Sequence, residues 1–198
     1  MMSLGDTALQ ASELCAQCGL CCTGFLFSHA DVTAEEVETF SDSGLSFYMR
    51  SPGKNAFRQP CACYRQGQCT TYESRPAVCV EYYCSLQKKI MNGSIALEDG
   101  RRIVGTVKRQ ADWLLRNADA PTDEKRKGLC LRDFLYVFHG KLEQERKNRD
   151  LTEAEKDYAL KAFECIKYVD RFFAKTSRLV MYARLVQAIR AEPRNREL

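Results

Sequence analysis

Nine of the eleven cysteines in this 198-residue chain fall before residue 85, as Cys15, Cys18, Cys21 and Cys22 and then as Cys61, Cys63, Cys69, Cys79 and Cys84. Such crowding constrains the fold, because thiolates are strong, soft ligands for zinc and for iron-sulfur clusters, and about four of them must converge on one point. A disulfide framework would use the same spacing in a secreted protein. The compartment therefore decides between the two readings.

The opening MMSLGDTALQASELC has no basic n-region, no apolar core of signal-peptide length and no small-residue cleavage pattern. No stretch approaches the roughly 18 uninterrupted apolar residues of a membrane helix. These features predict a soluble, cytoplasmic chain whose thiols stay reduced, and the odd cysteine count argues against a closed set of disulfides. The formal net charge of +4 divides into −2 for residues 1–90 (7 Lys and Arg against 9 Asp and Glu) and +6 for residues 91–198 (23 against 17). An excess of this size reads as a solvated helical surface, with nucleic-acid binding through Lys125, Arg126, Lys127, Arg194 and Arg196 as the weaker alternative.

The pattern changes near Gly93. Before it come short segments broken by Gly, Pro and Cys. Residues 31–40 read as a short helix capped by Asp31 or Thr33, and residues 41–60 as an irregular connection interrupted by Gly44, Pro52, Gly53 and Pro60. After Gly93 the helical period dominates. Ile103, Val104, Val107, Ala111, Leu114 and Leu115 form one stripe, predicting a helix over about 95–117. Phe134, Leu135, Phe138 and Leu142 predict another over roughly 129–147. Thr152 with Glu155 three residues on is a capping-box pattern that opens a third, about 152–174. A fourth, about 177–191, carries Leu179, Tyr182, Leu185, Val186 and Ile189, with Pro193 marking its end. β-branched alternation is nearly absent. The expected fold is therefore mostly α, with a cysteine-rich, metal-stapled N-terminal lobe (residues 1–92) packed on a C-terminal antiparallel helical bundle (93–198).

Within the first burst, Cys15-Ala-Gln-Cys18 lets two sulfurs reach one ion from a tight turn, and Gly19 supplies permissive backbone. In the second, Gly67 fits a turn between Cys63 and Cys69, and Ser74 with Pro76 reads as a helix start. Cys79 and Cys84 are five residues apart, about 500° around an α-helix. Either that helix ends before Cys84 or the two sulfurs serve different partners. His29 and His139 sit on apolar-flanked segments and read as packing; of the two, His29 has the stronger claim to a metal because it follows the first burst. Cys130 and Cys165 lie in helical runs and read as small core residues.

The string CxxCGxCC, followed by Cys69, Tyr72, Glu73, Arg75, Pro76 and Cys79, resembles the CxxCxxCC cysteine-cluster family, also called the YkgJ family and described as zinc- or iron-chelating. The resemblance covers about residues 12–86. It departs from the family at Thr71 and Val80, and Cys61 stands as a rival to Cys63. What it implies is a metal-binding module; better understood relatives include the longer flagellin lysine N-methylases. The metal ligands expected are Cys15, Cys18, Cys21, Cys22, Cys63, Cys69, Cys79 and Cys84, with Tyr72, Glu73 and Arg75 supporting them. Arg75 is placed to donate hydrogen bonds to ligating sulfurs and Glu73 to pair with it.

Eight or nine thiolates exceed one structural zinc. Two zinc ions, a bridged binuclear site, or one [4Fe-4S] cluster with spare cysteines fit the count. No glycine-rich strand-turn-helix for a nucleotide or methyl donor is present, Gly100 and Gly105 lying in a helical stretch. The leading expectation is a small metal-binding protein with zinc or iron in its N-terminal lobe and a helical half that offers a protein-partner surface. An iron-sulfur redox protein or protein-modification enzyme component is the alternative.

Overall fold

The computed structural model describes residues 4–117, 130–174 and 178–191. It is mostly helical. The described residues divide into two compact units: one runs up to Thr106 and includes Cys130–Arg132, the other begins at Val107. The basic candidates Lys125, Arg126, Lys127, Arg194 and Arg196, and the helix-ending Pro193, lie outside the described residues.

The first unit starts with α1 (Leu4–Cys18), continues through turns, and then departs from expectation. Residues 31–40 are not one helix. His29–Val32 form strand β1, and only Ala34–Thr39 form α2, with Thr33 as its cap. Thr33 Oγ1 accepts the Glu36 N–H while Glu36 Oε2 accepts the Thr33 N–H, the reciprocal capping box. Asp31, the rival cap, is engaged elsewhere: it accepts from Arg50 Nη1 at 2.6 Å.

Residues 41–60 are likewise not irregular. Phe47–Ser51 (β2) and Lys54–Arg58 (β3) pair antiparallel, and β1 adds to the far side of β3 to give the order β1-β3-β2. Pro52 and Gly53, read as interruptions, are the two-residue loop of this hairpin, with Gly53 at φ 73°. One face of the sheet, through Val32 and Phe57, packs with Leu45 and Cys63 as a small core, flanked by Val37, Phe40 and Phe47.

A two-residue ribbon follows, β4 (Tyr64–Arg65) on β5 (Gln68–Cys69), then a 3₁₀ turn at Tyr72–Ser74 and α3 (Ala77–Glu81). Pro76 takes the cap position of α3. The helix stops at Glu81, and a new one, α4 (Ser85–Met91), begins with Cys84 as its cap. That break resolves the poor facing of Cys79 and Cys84. Helix α5 (Leu97–Arg116) passes from this unit into the next. Gly100 is close-packed there: a Cβ on it would meet Ile90 Cδ1 at 2.6 Å and Leu14 Cδ2 at 3.1 Å.

The second unit is built from the rest of α5 with α6 (Leu131–Glu145), α7 (Glu153–Phe172) and α8 (Arg178–Ala191). Their stripes bury each other around Phe138, Tyr158 and Tyr182, all 1% exposed or less. Both phenols are satisfied, Tyr158 donating to the Leu114 carbonyl and Tyr182 to the Leu135 carbonyl. The Thr152–Glu155 capping box forms as the spacing predicts. Cys165 is fully buried on α7, as a core residue should be. His139 is hydrogen-bonded through Nε2 to the Met181 carbonyl at 3.1 Å and packs on Tyr182.

Candidate metal centre

Cys15 and Cys18 occupy the last turn of α1, and the chain then leaves the helix through Gly19 at φ 69°. The turn that follows is tied by Thr23 N–H to the Gly19 carbonyl (2.8 Å), Gly24 N–H to Cys21 (3.1 Å) and Phe25 N–H to Leu20 (3.1 Å). Leu20 and Phe25 anchor it in the core. Cys21 and Cys22 are thereby held at the mouth of α1.

Cys84 reaches the same neighbourhood from α4. Its sulfur accepts the Gln87 N–H at 3.5 Å, and Gln87 Oε1 accepts the Cys84 N–H at 3.2 Å. This is a capping box with cysteine in the place of serine. The amide of Gln87 also donates to the Ala11 carbonyl of α1 at 3.5 Å. One glutamine thus links the helices that carry Cys15 and Cys84. In the sequence the Cys84-x-x-Gln87 spacing is the one signal of this cap.

On the other side, the Cys61 N–H donates to the Cys22 carbonyl at 2.7 Å. Cys61 and Cys79 both pack against the Val32–Phe57 core, and Cys69 closes the β4–β5 ribbon opposite Tyr64. Cys63 lies within the core on which Cys61 and Cys79 pack. It is 4% exposed inside that core, its sulfur donating to the Ser43 carbonyl at 3.6 Å. A turn from the Cys61 carbonyl to the Tyr64 N–H (3.0 Å) separates the two.

The thiols influence one another electrically. Burial first, then the neighbouring thiolates Cys18, Cys22, Cys15 and Cys84, push the Cys21 thiol well up. Burial and then Cys61, Cys69 and Cys79 do the same to Cys22. Cys61 is pushed up to about 12 and Cys79 to about 11, again by burial foremost. Cys15 is raised by burial and by Cys84. Burial raises Cys84 too, against the opposing pull of backbone N–H groups at the start of α4. A crowd of buried thiols resists ionisation unless a cation compensates it.

Arg75 brings positive charge to this neighbourhood. It lies close enough to Cys15 and Cys79 to favour both thiolates, and its guanidinium sits 3.7 Å from the centre of the Tyr72 ring. Tyr72 is itself pinned to α1, donating to the Ser12 carbonyl (2.8 Å) and accepting from Ser12 Oγ (2.7 Å). Arg75 Nε is buried without a hydrogen-bond partner. Glu73 is exposed and forms no ion pair with Arg75 among the described residues. Tyr82 stands beside Cys21, Cys84 and Cys15, edge-on to Phe27 with ring centres 5.1 Å apart. Tyr83 is 43% exposed, and the His29 ring is hydrogen-bonded through Nδ1 to Ser28 Oγ.

Among the described residues no three His, Cys, Asp or Glu side chains are grouped as they would be to hold a metal ion. Ligation therefore requires the sulfurs to move from the positions they take here. The donor chemistry fits a soft or borderline ion. The thiols are all free, and a buried guanidinium N–H without an acceptor is what an anionic metal-thiolate group would satisfy.

Comparison with known proteins agrees with this chemistry. Residues 14–98 match the CxxCxxCC family model, described as a "Putative zinc- or iron-chelating domain". No curated protein and no solved structure matches the chain. No helix among the described residues is long and apolar enough to cross a membrane.

Proposed function

We propose, from the match of residues 14–98 to the CxxCxxCC family model, that this is a cytosolic metal-binding protein whose N-terminal lobe, residues 1–92, is organised by zinc or iron. The ligands are Cys15, Cys18, Cys21, Cys22, Cys61, Cys69, Cys79 and Cys84. Cys61 is preferred here to its rival Cys63, which supports the sheet core from within at 4% exposure while Cys61 is only partly buried on it. The observation that carries the reading is the buried, partnerless Nε of Arg75 beside Cys15 and Cys79.

The lobe's own residues then have defined work. Gln87 fixes Cys84 against α1, Tyr72 holds Arg75 in place, and Tyr64 and Tyr82 limit water around the sulfurs. A bound ion supplies positive charge that keeps the thiolates ionised, and its binding energy becomes folding energy for a small lobe. Eleven free thiols suit a reducing compartment.

Metal analysis of anaerobically purified chain, paired with an absorption spectrum, tests the proposal. Stoichiometric zinc in a colourless sample, or iron with broad absorption near about 400 nm, supports it. Protein that carries neither metal and takes up neither after reduction overturns it.

A further inference from the structure

We infer that the outer edge of strand β2 takes up an extended peptide in which acidic and apolar residues alternate, added as a fourth strand to the β1-β3-β2 sheet. The inference goes beyond metal chelation and draws on none of the proposed ligands.

Charge is segregated in the lobe. From Ser43 to Tyr72 the chain carries no Asp or Glu and four cations, Arg50, Lys54, Arg58 and Arg65, whereas the rest of residues 1–90 has three cations and nine acids. Three of those four cations come to one face of the sheet. Arg58 sits over the Tyr48 ring, its guanidinium carbon 4.3 Å from the ring centre. Arg50 bonds Asp31, which pairs across the sheet with Ala56, the partner of Tyr48. Lys54, two residues before Ala56 on β3, shares that face. Lys54 and Arg58 are exposed and form no ion pair among the described residues. The opposite face is apolar: Val32 and Phe47 meet the small core, while Met49, next along β2 on that side, stays 67% exposed.

The backbone of β2 is open on its outer side. The strand order leaves β2 at an edge, and the other edge strand, β1, has α3 packed on it. The Arg58 N–H donates to the Ser46 carbonyl at 3.1 Å, so Ser46 and Arg58 form a hydrogen-bonded pair. In the same register Tyr48 bonds towards β3, and Phe47 and Met49 turn their N–H and C=O groups outwards. No other bond reaches those groups among the described residues.

An added strand would pair with them, its side chains falling alternately beside Tyr48 and Arg50 and beside Phe47 and Met49. Carboxylates suit the first row, where Arg50, Lys54 and Arg58 supply charged donors. Apolar side chains suit the second, where Met49 gains cover. The bulge between Met49 and Ser51 ends the register, which keeps the pairing short and the complex transient. A single-stranded nucleic acid fits less well, because Arg58 already caps the Tyr48 ring and a phosphate chain uses neither the open main chain nor Met49.

The test is binding of a dye-labelled Val-Glu-Val-Glu-Val-Glu peptide to the full, anaerobically purified chain, read by fluorescence anisotropy and by amide hydrogen exchange. Saturable binding is expected, with the Phe47 and Met49 amides gaining protection and the Tyr48 amide, already bonded to β3, unchanged. M49P, which removes an outward N–H but no bond to β3, and the charge-reversed R50E/R58E are each expected to weaken binding about 10-fold or more. A Val-Lys repeat should not bind. Where M49P fails to fold, R50E/R58E and the amide protection decide. No binding of the Val-Glu peptide, equal binding of the Val-Lys peptide, binding without protection at Phe47 and Met49, or tighter binding of a single-stranded oligothymidine overturns the inference.

Discussion

The phenol of Tyr64 occupies the space into which a Cβ on Gly19 would project. Gly19 also stands at φ 69°, where an L side chain is strained, so glycine is required there twice over. The two residues tie the CxxCGxCC turn to the β4–β5 ribbon, and Tyr64 lies beside Cys18 and Cys22. Replacing Gly19 by Ala is expected to cost about 2 kcal/mol or more from backbone strain and overpacking. Thermal unfolding of G19A, Y64A and the double variant checks it. Y64A should relieve the overpacking part of the G19A defect, giving a double variant less destabilised than the sum of the singles. Simple additivity would contradict the contact.

Glu36 joins two helix starts. Its Oε2 closes the capping box of α2, and its Oε1 accepts the Ala77 N–H of α3 at 2.7 Å. Pro76 gives α3 no side-chain cap of its own, so Glu36 serves the helix that carries Cys79. E36A is expected to cost about 1–2 kcal/mol and to weaken zinc retention, whereas E36Q should lose less. Equal stability of E36A and wild type by chemical denaturation would refute this.

Glu155 gives the cleanest pH dependence. The Arg149 side chain foremost, with the Thr152 N–H and hydroxyl, lowers its carboxyl from 4.5 to about 2, and Arg149 binds both carboxylate oxygens at 2.8 and 2.9 Å. A carboxyl with a depressed folded pKa contributes stability that is fully present above about 4.5 and is lost as pH falls towards 2. E155Q should therefore be less stable than wild type by about 2 kcal/mol at pH 7, the gap narrowing below pH 4.5. A gap that stays constant from pH 7 to pH 2 would sink the assignment.

In the proposed site Arg75 offsets part of the thiolate charge. R75A is expected to weaken metal binding about 10-fold or more. R75K, which keeps the charge but loses the planar fork stacked on Tyr72, should fall between R75A and wild type. Competition against a colorimetric zinc chelator measures the series. Equal affinity in all three would remove Arg75 from the account.

Much of this was legible in the sequence because long apolar stripes at helical spacing leave few alternatives: α5, α6, α7 and α8 lie where Val107, Phe138, Ile166 and Leu185 put them. The Thr152–Glu155 cap was readable for the same local reason. The sheet was not readable. Its strands are four or five residues long and expose Met49, Arg50 and Lys54, so no alternation survives, and Pro52-Gly53 reads equally as a breaker or a hairpin loop. Cys61 and Cys63 are indistinguishable by spacing, and both meet one small core, Cys63 within it and Cys61 packed on it. Gln87 was hidden by its ordinary role: only the structure joins its amide to the Ala11 carbonyl across 76 residues.

The central claim is that thiol-bound metal holds the N-terminal lobe together. Hydrogen exchange of the anaerobically purified chain, before and after complete removal of metal by a chelator, tests it most directly. Amides in residues 1–92 are expected to lose protection, foremost in the turn after Gly19 and at the start of α4, while α7 and α8 keep theirs. Unchanged protection throughout residues 1–92 after the last metal is gone would contradict it.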